Sequence, residues 1–274
     1  MAINSFGGEW TIEKLKILSK YLKFYVQALK NQPFNKIYID AFAGTGVLER
    51  KDTGEEIPGS TKISLDIEEK FDRYIFIESN RNAYKELKKM ISENYKEMSS
   101  KIDIIQNDAN EALINILNKY KWNKTRAVLF LDPYAMSVKW NTLKIISETK
   151  AIDLWYLFPF SATTRLLEKN KNIDIKWQAK LNSIFGDNSW EQEMYKKDDQ
   201  MSLFGDEYYK KGDVFVLKDY IIKRLKDIFP YVSEPKILYN KRNSPLFLFC
   251  FAVSNPNPKA WGLAKKAIKY ILDK

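Results

Sequence analysis

Histidine is absent from all 274 residues. Imidazole is therefore excluded as a general base, as the partner of a nucleophile and as a metal ligand. Cysteine occurs once, at Cys250, which rules out an internal disulfide and, with histidine missing, removes zinc sites and Ser-His-Asp or Cys-His catalysis. Chemistry is left to carboxylates, Lys, Tyr, backbone groups, a hard oxygen-bound metal or a cofactor, and no metal site is read from the chain. No apolar run approaches the roughly 18 to 20 residues that span a bilayer. The first eight residues show neither the basic n-region nor the h-region of a signal peptide, so a cytoplasmic protein without membrane attachment is expected. Repeats and low-complexity segments are also missing.

What is present is a folded chain with a basic excess. Hydrophobic residues make up 45%, ample for a well-packed core, and the length suits a single domain. The formal charge of +10 favours an anionic partner such as nucleic acid. Cys250 lies inside the apolar run from Leu246 to Val253 and reads as a buried core thiol.

Apolar residues at helical spacing over residues 10 to 30 predict an N-terminal helix, with Thr11 as its N-cap and the sheet as the surface it covers. Residues 36–39, 73–80, 101–106, 127–131 and 152–158 predict strands separated by helices, and continuously apolar strands of this kind belong to a parallel sheet covered on both faces. The polar stretch from Glu49 to Ser60 reads as an inserted loop ahead of a helix beginning near Ser60. Residues 161 to 230 read as a helical insertion, with 196–200 as a solvated connector. Residues 236–239 and 246–253 predict an antiparallel pair, followed by a terminal helix.

The first four strands end in polar residues on one edge: Asp40, Glu78, the cluster Asn107-Asp108, and Asp132. After Asp40 comes Ala41-Phe42-Ala43-Gly44-Thr45-Gly46, a turn whose glycines let backbone approach a small ligand, because they lack Cβ and tolerate positive φ. The turn fits either a dinucleotide or an adenosine-bearing cofactor, with Glu78 as a double acceptor for ribose hydroxyls. The third glycine of a dinucleotide fingerprint is missing, and Glu78 lies beyond the usual spacing of about 20 residues, for which the inserted loop can account. Asp108 is placed to accept from an adenine amino group, and Asp132-Pro133-Tyr134 to stand beside the reacting end of the cofactor.

These residues resemble class I methyltransferases that use S-adenosylmethionine. Phe42-x-Gly44-x-Gly46 after Asp40 is similar to their motif I, and Asp132-Pro133-Tyr134 is similar to the Asp-Pro-Pro-Tyr motif of enzymes that methylate the exocyclic nitrogen of adenine or cytosine. The strings Trp10-Thr11-x-x-Lys14-Leu15, Asp132-Pro133-Tyr134, Lys139-Trp140 and Ala151 to Pro159 resemble, more closely, the three-Cys-motif partner family of prokaryotes. The resemblance implies an α/β, Rossmann-like class I methyltransferase fold: a mostly parallel seven-stranded sheet with an antiparallel C-terminal pair and helices on both faces. It also implies S-adenosylmethionine as cofactor, held by Asp40, Phe42, Gly44, Gly46, Glu78 and Asp108, and a three-cysteine partner of the radical S-adenosylmethionine type. Asp132, Pro133 and Tyr134 are the catalytic candidates of an N-methyltransferase acting on a nucleic-acid base.

The match departs from the motif where Tyr134 stands in place of the second proline and Ala135 in place of the aromatic residue. In the intact motif the Asp carboxylate and the next backbone carbonyl accept the two amine hydrogens while the ring stacks on an extruded base. Tyr134 stacks from one residue earlier, or Phe160 or Trp140 takes that part. Two other readings stand beside this one: an accessory module that binds cofactor or nucleic acid for the three-cysteine partner, and a dinucleotide-dependent oxidoreductase.

Overall fold

The computed structural model describes residues 4–6, 8–50, 54–167, 172–197, 208–210 and 214–272. A short strand β1 (Asn4–Phe6) leads into α1 (Glu9–Ala28), and β2 (Asn35–Asp40) ends at the glycine turn. β3 (Val47–Arg50), β4 (Glu56–Pro58) and α2 (Ser60–Asp66) follow. The alternation continues through β5 (Arg73–Ile77), α3 (Arg81–Asn94), β6 (Ile102–Ile105) and α4 (Ala109–Lys119). Next come β7 (Thr125–Leu131), α5 (Trp140–Glu148) and β8 (Ile152–Phe158). Helices α6 (Phe160–Leu166), α7 (Ile175–Phe185) and α8 (Trp190–Met194), the strand pair β9 (Tyr195–Lys197) and β10 (Tyr208–Lys210), and α9 (Val214–Ile228) come before β11 (Tyr231–Val232). Then β12 (Lys236–Tyr239), β13 (Pro245–Val253) and α10 (Pro258–Leu272) complete the described chain.

The main sheet has eight strands, seven of them in the order β11-β13-β8-β7-β2-β5-β6, with β12 also paired to β13. Strands β2, β5, β6, β7 and β8 are parallel, whereas β13 runs antiparallel to β8, and β11 and β12 run antiparallel to β13. This is the expected Rossmann-like class I methyltransferase fold. The strand beyond the expected seven is β11, whose two residues are too short to carry a periodic signal.

Period-two alternation divides the strand side chains between two cores. Ile37, Ile39, Ile75, Ile77, Leu129 and Leu131 face α4, α5, α7 and α9. On the other side Tyr38, Tyr74, Phe76, Phe130 and Trp155 meet α1, α3 and α10. Helix α1 contributes Leu18, Tyr21 and Leu22 to that second core, each worth about 1.5–3 kcal/mol relative to exposure. Cys250 is buried in the first core, where desolvation pushes its thiol up to about 12.

Three local expectations are corrected. Thr11 is not the N-cap of α1: the helix starts earlier, at an extended Gly8 whose carbonyl accepts from Thr11 N–H at 3.1 Å, and Thr11 is buried in the first turn. The stretch from Glu49 to Ser60 is not merely a loop, because β3 pairs antiparallel with β4 and parallel with β1 to form a small separate sheet. Lys196 and Lys197 of the expected connector lie in β9, paired with β10, and Asp198 to Gln200 fall outside the described residues. No helix among the described residues is long and apolar enough to cross a membrane.

Candidate active site

Parallel pairing brings the carboxyl ends of β2, β5, β6 and β7 to one edge, where open α/β sheets bind ligands. Gly44 and Gly46 have φ of +60° and +82°, the left-handed region in which a Cβ is strained. The small-sheet excursion closes on the turn it leaves. Gly59 N–H donates to Gly46 O at 3.0 Å, so α2 starts against the glycine turn and the chain resumes its β-α rhythm.

Asp40 is fully buried and works on the turn itself. Phe42 N–H donates to its Oδ1 at 3.2 Å, Tyr38 hydroxyl to its Oδ2 at 3.4 Å, and the Ser60 hydroxyl also donates to it. Burial raises the Asp40 carboxyl to about 7 against these hydrogen bonds, and the neighbouring Asp132 charge pushes the same way. The Phe42 ring packs half-buried against the first core.

Glu78, at the end of β5, spans the gap between turn and helix. Its Oε2 accepts from Gly44 N–H at 2.9 Å and its Oε1 from Asn80 N–H at 2.7 Å, which leaves acceptor capacity on both oxygens. The inserted β3–β4 segment accounts for the 34 residues between these partners. Asp108 caps α4: its Oδ1 accepts from Asn110 N–H at 2.9 Å and Glu111 N–H at 3.3 Å, while the exposed Oδ2 takes no bond among the described residues.

Asp132 ends β7 and forms an ion pair with Lys14 of α1 through Oδ2. Lys14 is only 4% exposed, and its ammonium also lies 5.1 Å from the centre of the Trp10 ring. Asp132 keeps 28% of its side-chain surface open, with Oδ1 free of the lysine. The next residues diverge: Pro133 is buried, whereas Tyr134 is 92% exposed and Ala135 takes a left-handed φ of +54°. Phe160 is buried in the first core with no face open to a base, Trp140 is half-buried with Arg224 stacked on its ring, and Tyr134 is the most exposed aromatic side chain at this strand end.

Two residues escaped the sequence reading as site elements. Lys14 interrupts the buried stripe of Thr11, Leu15, Leu18, Tyr21 and Leu22 on α1, and a lysine on an apolar stripe was the available signal. Buried Asn110 clamps the segment after Asp132: its Nδ2 donates to Ser137 O at 3.0 Å, and its Oδ1 accepts from Lys139 N–H at 3.0 Å and Thr142 hydroxyl at 2.8 Å. Nothing in the local pattern marks that role. Among the described residues no cluster of three or more metal-ligating side chains occurs.

No protein-family model matches the chain, and no curated protein matches it. Among solved structures, protein LPL1258 from Legionella pneumophila, of the family DUF519, superposes over 99% of this chain and 94% of its own with a TM-score of 0.52 at 13% identity. Spermidine synthase from Thermotoga maritima superposes less well, with a TM-score of 0.42 at 11% identity over 92% of this chain and 61% of its own. The plantazolicin methyltransferase BamL, in complex with a desmethylPZN analogue and SAH, gives 0.39 at 12% identity over 89% and 85%. The first of these likenesses shows a shared fold.

Proposed function

We propose that this chain is an S-adenosylmethionine-dependent N-methyltransferase whose acceptor is the amino group of a nucleic-acid base. The observation that carries the reading is the Asp132 carboxylate, held through one oxygen by Lys14 and open at the other, beside the glycine turn, Glu78 and Asp108. This donor set fits the cofactor. Glu78 retains acceptor capacity for ribose hydroxyls, Asp108 Oδ2 is open for an adenine amine, and several carboxylates favour a cationic sulfonium while repelling a dinucleotide's pyrophosphate.

When bound, S-adenosylmethionine supplies an electrophilic methyl group. Asp132 Oδ1 and the Pro133 carbonyl accept the two hydrogens of the target amine, which aims the nitrogen lone pair; catalysis comes mainly from this positioning. Lys14 is a positioning residue: by occupying Oδ2 it fixes the carboxylate plane and directs Oδ1 to the substrate. The part-exposed Asp132 carboxylate receives the proton that the nitrogen loses and passes it to water. Tyr134 stacks on the extruded base.

The accessory reading keeps two observations in its favour: Lys14 already occupies half of Asp132, and Tyr134 departs from the motif. In that reading a three-cysteine partner in the same prokaryotic cytoplasm performs the chemistry. Calorimetric titration tests the cofactor assignment. Saturable S-adenosylmethionine binding, tighter than NAD binding and weakened by Glu78→Ala, is expected; tighter NAD binding overturns it.

A further inference from the structure

A cavity of about 580 Å³ opens between α5, α7 and α9, beginning where the segment after Asp132 ends. Its wall is fixed in place. Arg224 stacks 4.7 Å from the centre of the Trp140 ring and donates to Phe185 O at 2.6 Å and Asp187 Oδ2 at 2.8 Å, with Asp227 at 3.5 Å. Gly186, at φ +92°, lets this arrangement close, since a Cβ there would collide with the Trp140 ring.

The charges of the lining are unevenly used. Both carboxylates, Asp187 and Asp227, are engaged by Arg224, whereas the ammonium groups of Lys139 and Lys144 make no ion pair among the described residues. These two ammonium groups, Lys139 at the N-cap of α5 and Lys144 within it, stand beside the polar side chains of Asn141, Asn182 and Ser183 and give the lining groups that can hold an anion. Lys139 N–H is also clamped to Asn110 together with Ser137 O, so the cavity's position is tied to the segment that begins at Asp132.

We infer that this cavity seats the sugar-phosphate backbone of a single-stranded nucleic-acid segment flanking the target base, with Lys139 and Lys144 on its phosphates. The inference rests on the proposed nucleic-acid acceptor and adds the surface that holds it. Phosphate contacts position a strand without reading its sequence, and that is what a site for the flanking segment has to do.

The test measures anisotropy of fluorescein-labelled single-stranded DNA and RNA of about 12 nucleotides, a length within common site sizes, across a salt series. The variant Lys139→Glu/Lys144→Glu changes two exposed side chains, and Lys265→Glu/Lys266→Glu on α10, at the opposite face of the sheet, is the charge-matched control. Losing two phosphate contacts predicts a salt slope smaller by about 1.4 and binding weaker by on the order of 25-fold near 0.1 M salt, with the control nearer to the parent chain. Equal weakening in both variants, or an unchanged slope in the first, overturns the cavity assignment and leaves the methyltransferase reading standing. No oligonucleotide binding by the parent chain overturns it too, and S-adenosylmethionine titration of that sample reports separately on the cofactor site.

Discussion

Lys14 of α1 and Asp132 at the end of β7 are 118 residues apart in sequence and joined by an ion pair at the sheet edge. Helix α1 thus covers the second core with its middle and supplies a charge to the site with its first turns. Lys14→Met keeps the apolar stem and removes the ammonium. Methyl transfer is expected to fall about 10²-fold in kcat, the scale of a misdirected catalytic group, with S-adenosylmethionine affinity nearly unchanged. Single-turnover kinetics beside calorimetry separates the two. A loss confined to cofactor affinity argues against a positioning role.

Asn110 fastens the segment after Asp132 through three hydrogen bonds, two of them to backbone groups. Asn110→Ala leaves buried donors and acceptors unpaired, which costs about 1–3 kcal/mol in denaturant unfolding. A variant that unfolds at the parent midpoint contradicts the clamp.

These two residues mark the limit of what was legible in the sequence. The parallel strands announced themselves because burial on both faces makes them continuously apolar, and the acidic strand ends followed from where those runs stop. Lys14 needed the helix register and a contact 118 residues away to acquire meaning. Asn110 was hidden inside a cap cluster, since a side chain that clamps a distant backbone leaves no periodic trace. The β3–β4 excursion read as a loop because its strands are four and three residues long and its closure depends on a contact between Gly46 and Gly59.

Burial holds the carboxyls of Asp40 and Asp153 at about 7, well above the unfolded value near 3.9. Between these values the native state binds more protons than the unfolded chain, so their contribution makes stability fall as pH rises from about 4 to 7 and level off above. The slope is at most about 1.4 kcal/mol per pH unit for each group. Asp40→Asn removes one group from this dependence; urea midpoints against pH that keep the parent slope contradict the assignment.

Tyr21 hydroxyl donates to Asp153 Oδ2 at 2.5 Å beneath α1. The bond favours the charged carboxylate and opposes the upward push of burial. Tyr21→Phe is expected to destabilise by about 1–3 kcal/mol, more at pH 8 than at pH 5, because the ionised partner is then left unsatisfied. Equal loss at both pH values points to packing alone.

Gly46 holds φ +82°, and a Cβ there meets the flexible end of Met90 and, at 3.2 Å, the buried Leu87 side chain. Met90 can shift, but backbone strain and the tight contact with buried Leu87 remain, and Gly46→Ala is expected to lose at least about 1–2 kcal/mol in thermal unfolding. An unchanged Tm contradicts the strained turn.

The most direct test of the central claim is transfer of labelled methyl from S-adenosylmethionine to DNA, RNA and protein by the parent chain and by Asp132→Asn. The account predicts label in a nucleic acid, released on digestion as an N-methylated base, and a large loss in Asp132→Asn with cofactor binding retained. Cofactor binding without transfer to any polymer, or transfer unaffected by Asp132→Asn, would contradict it.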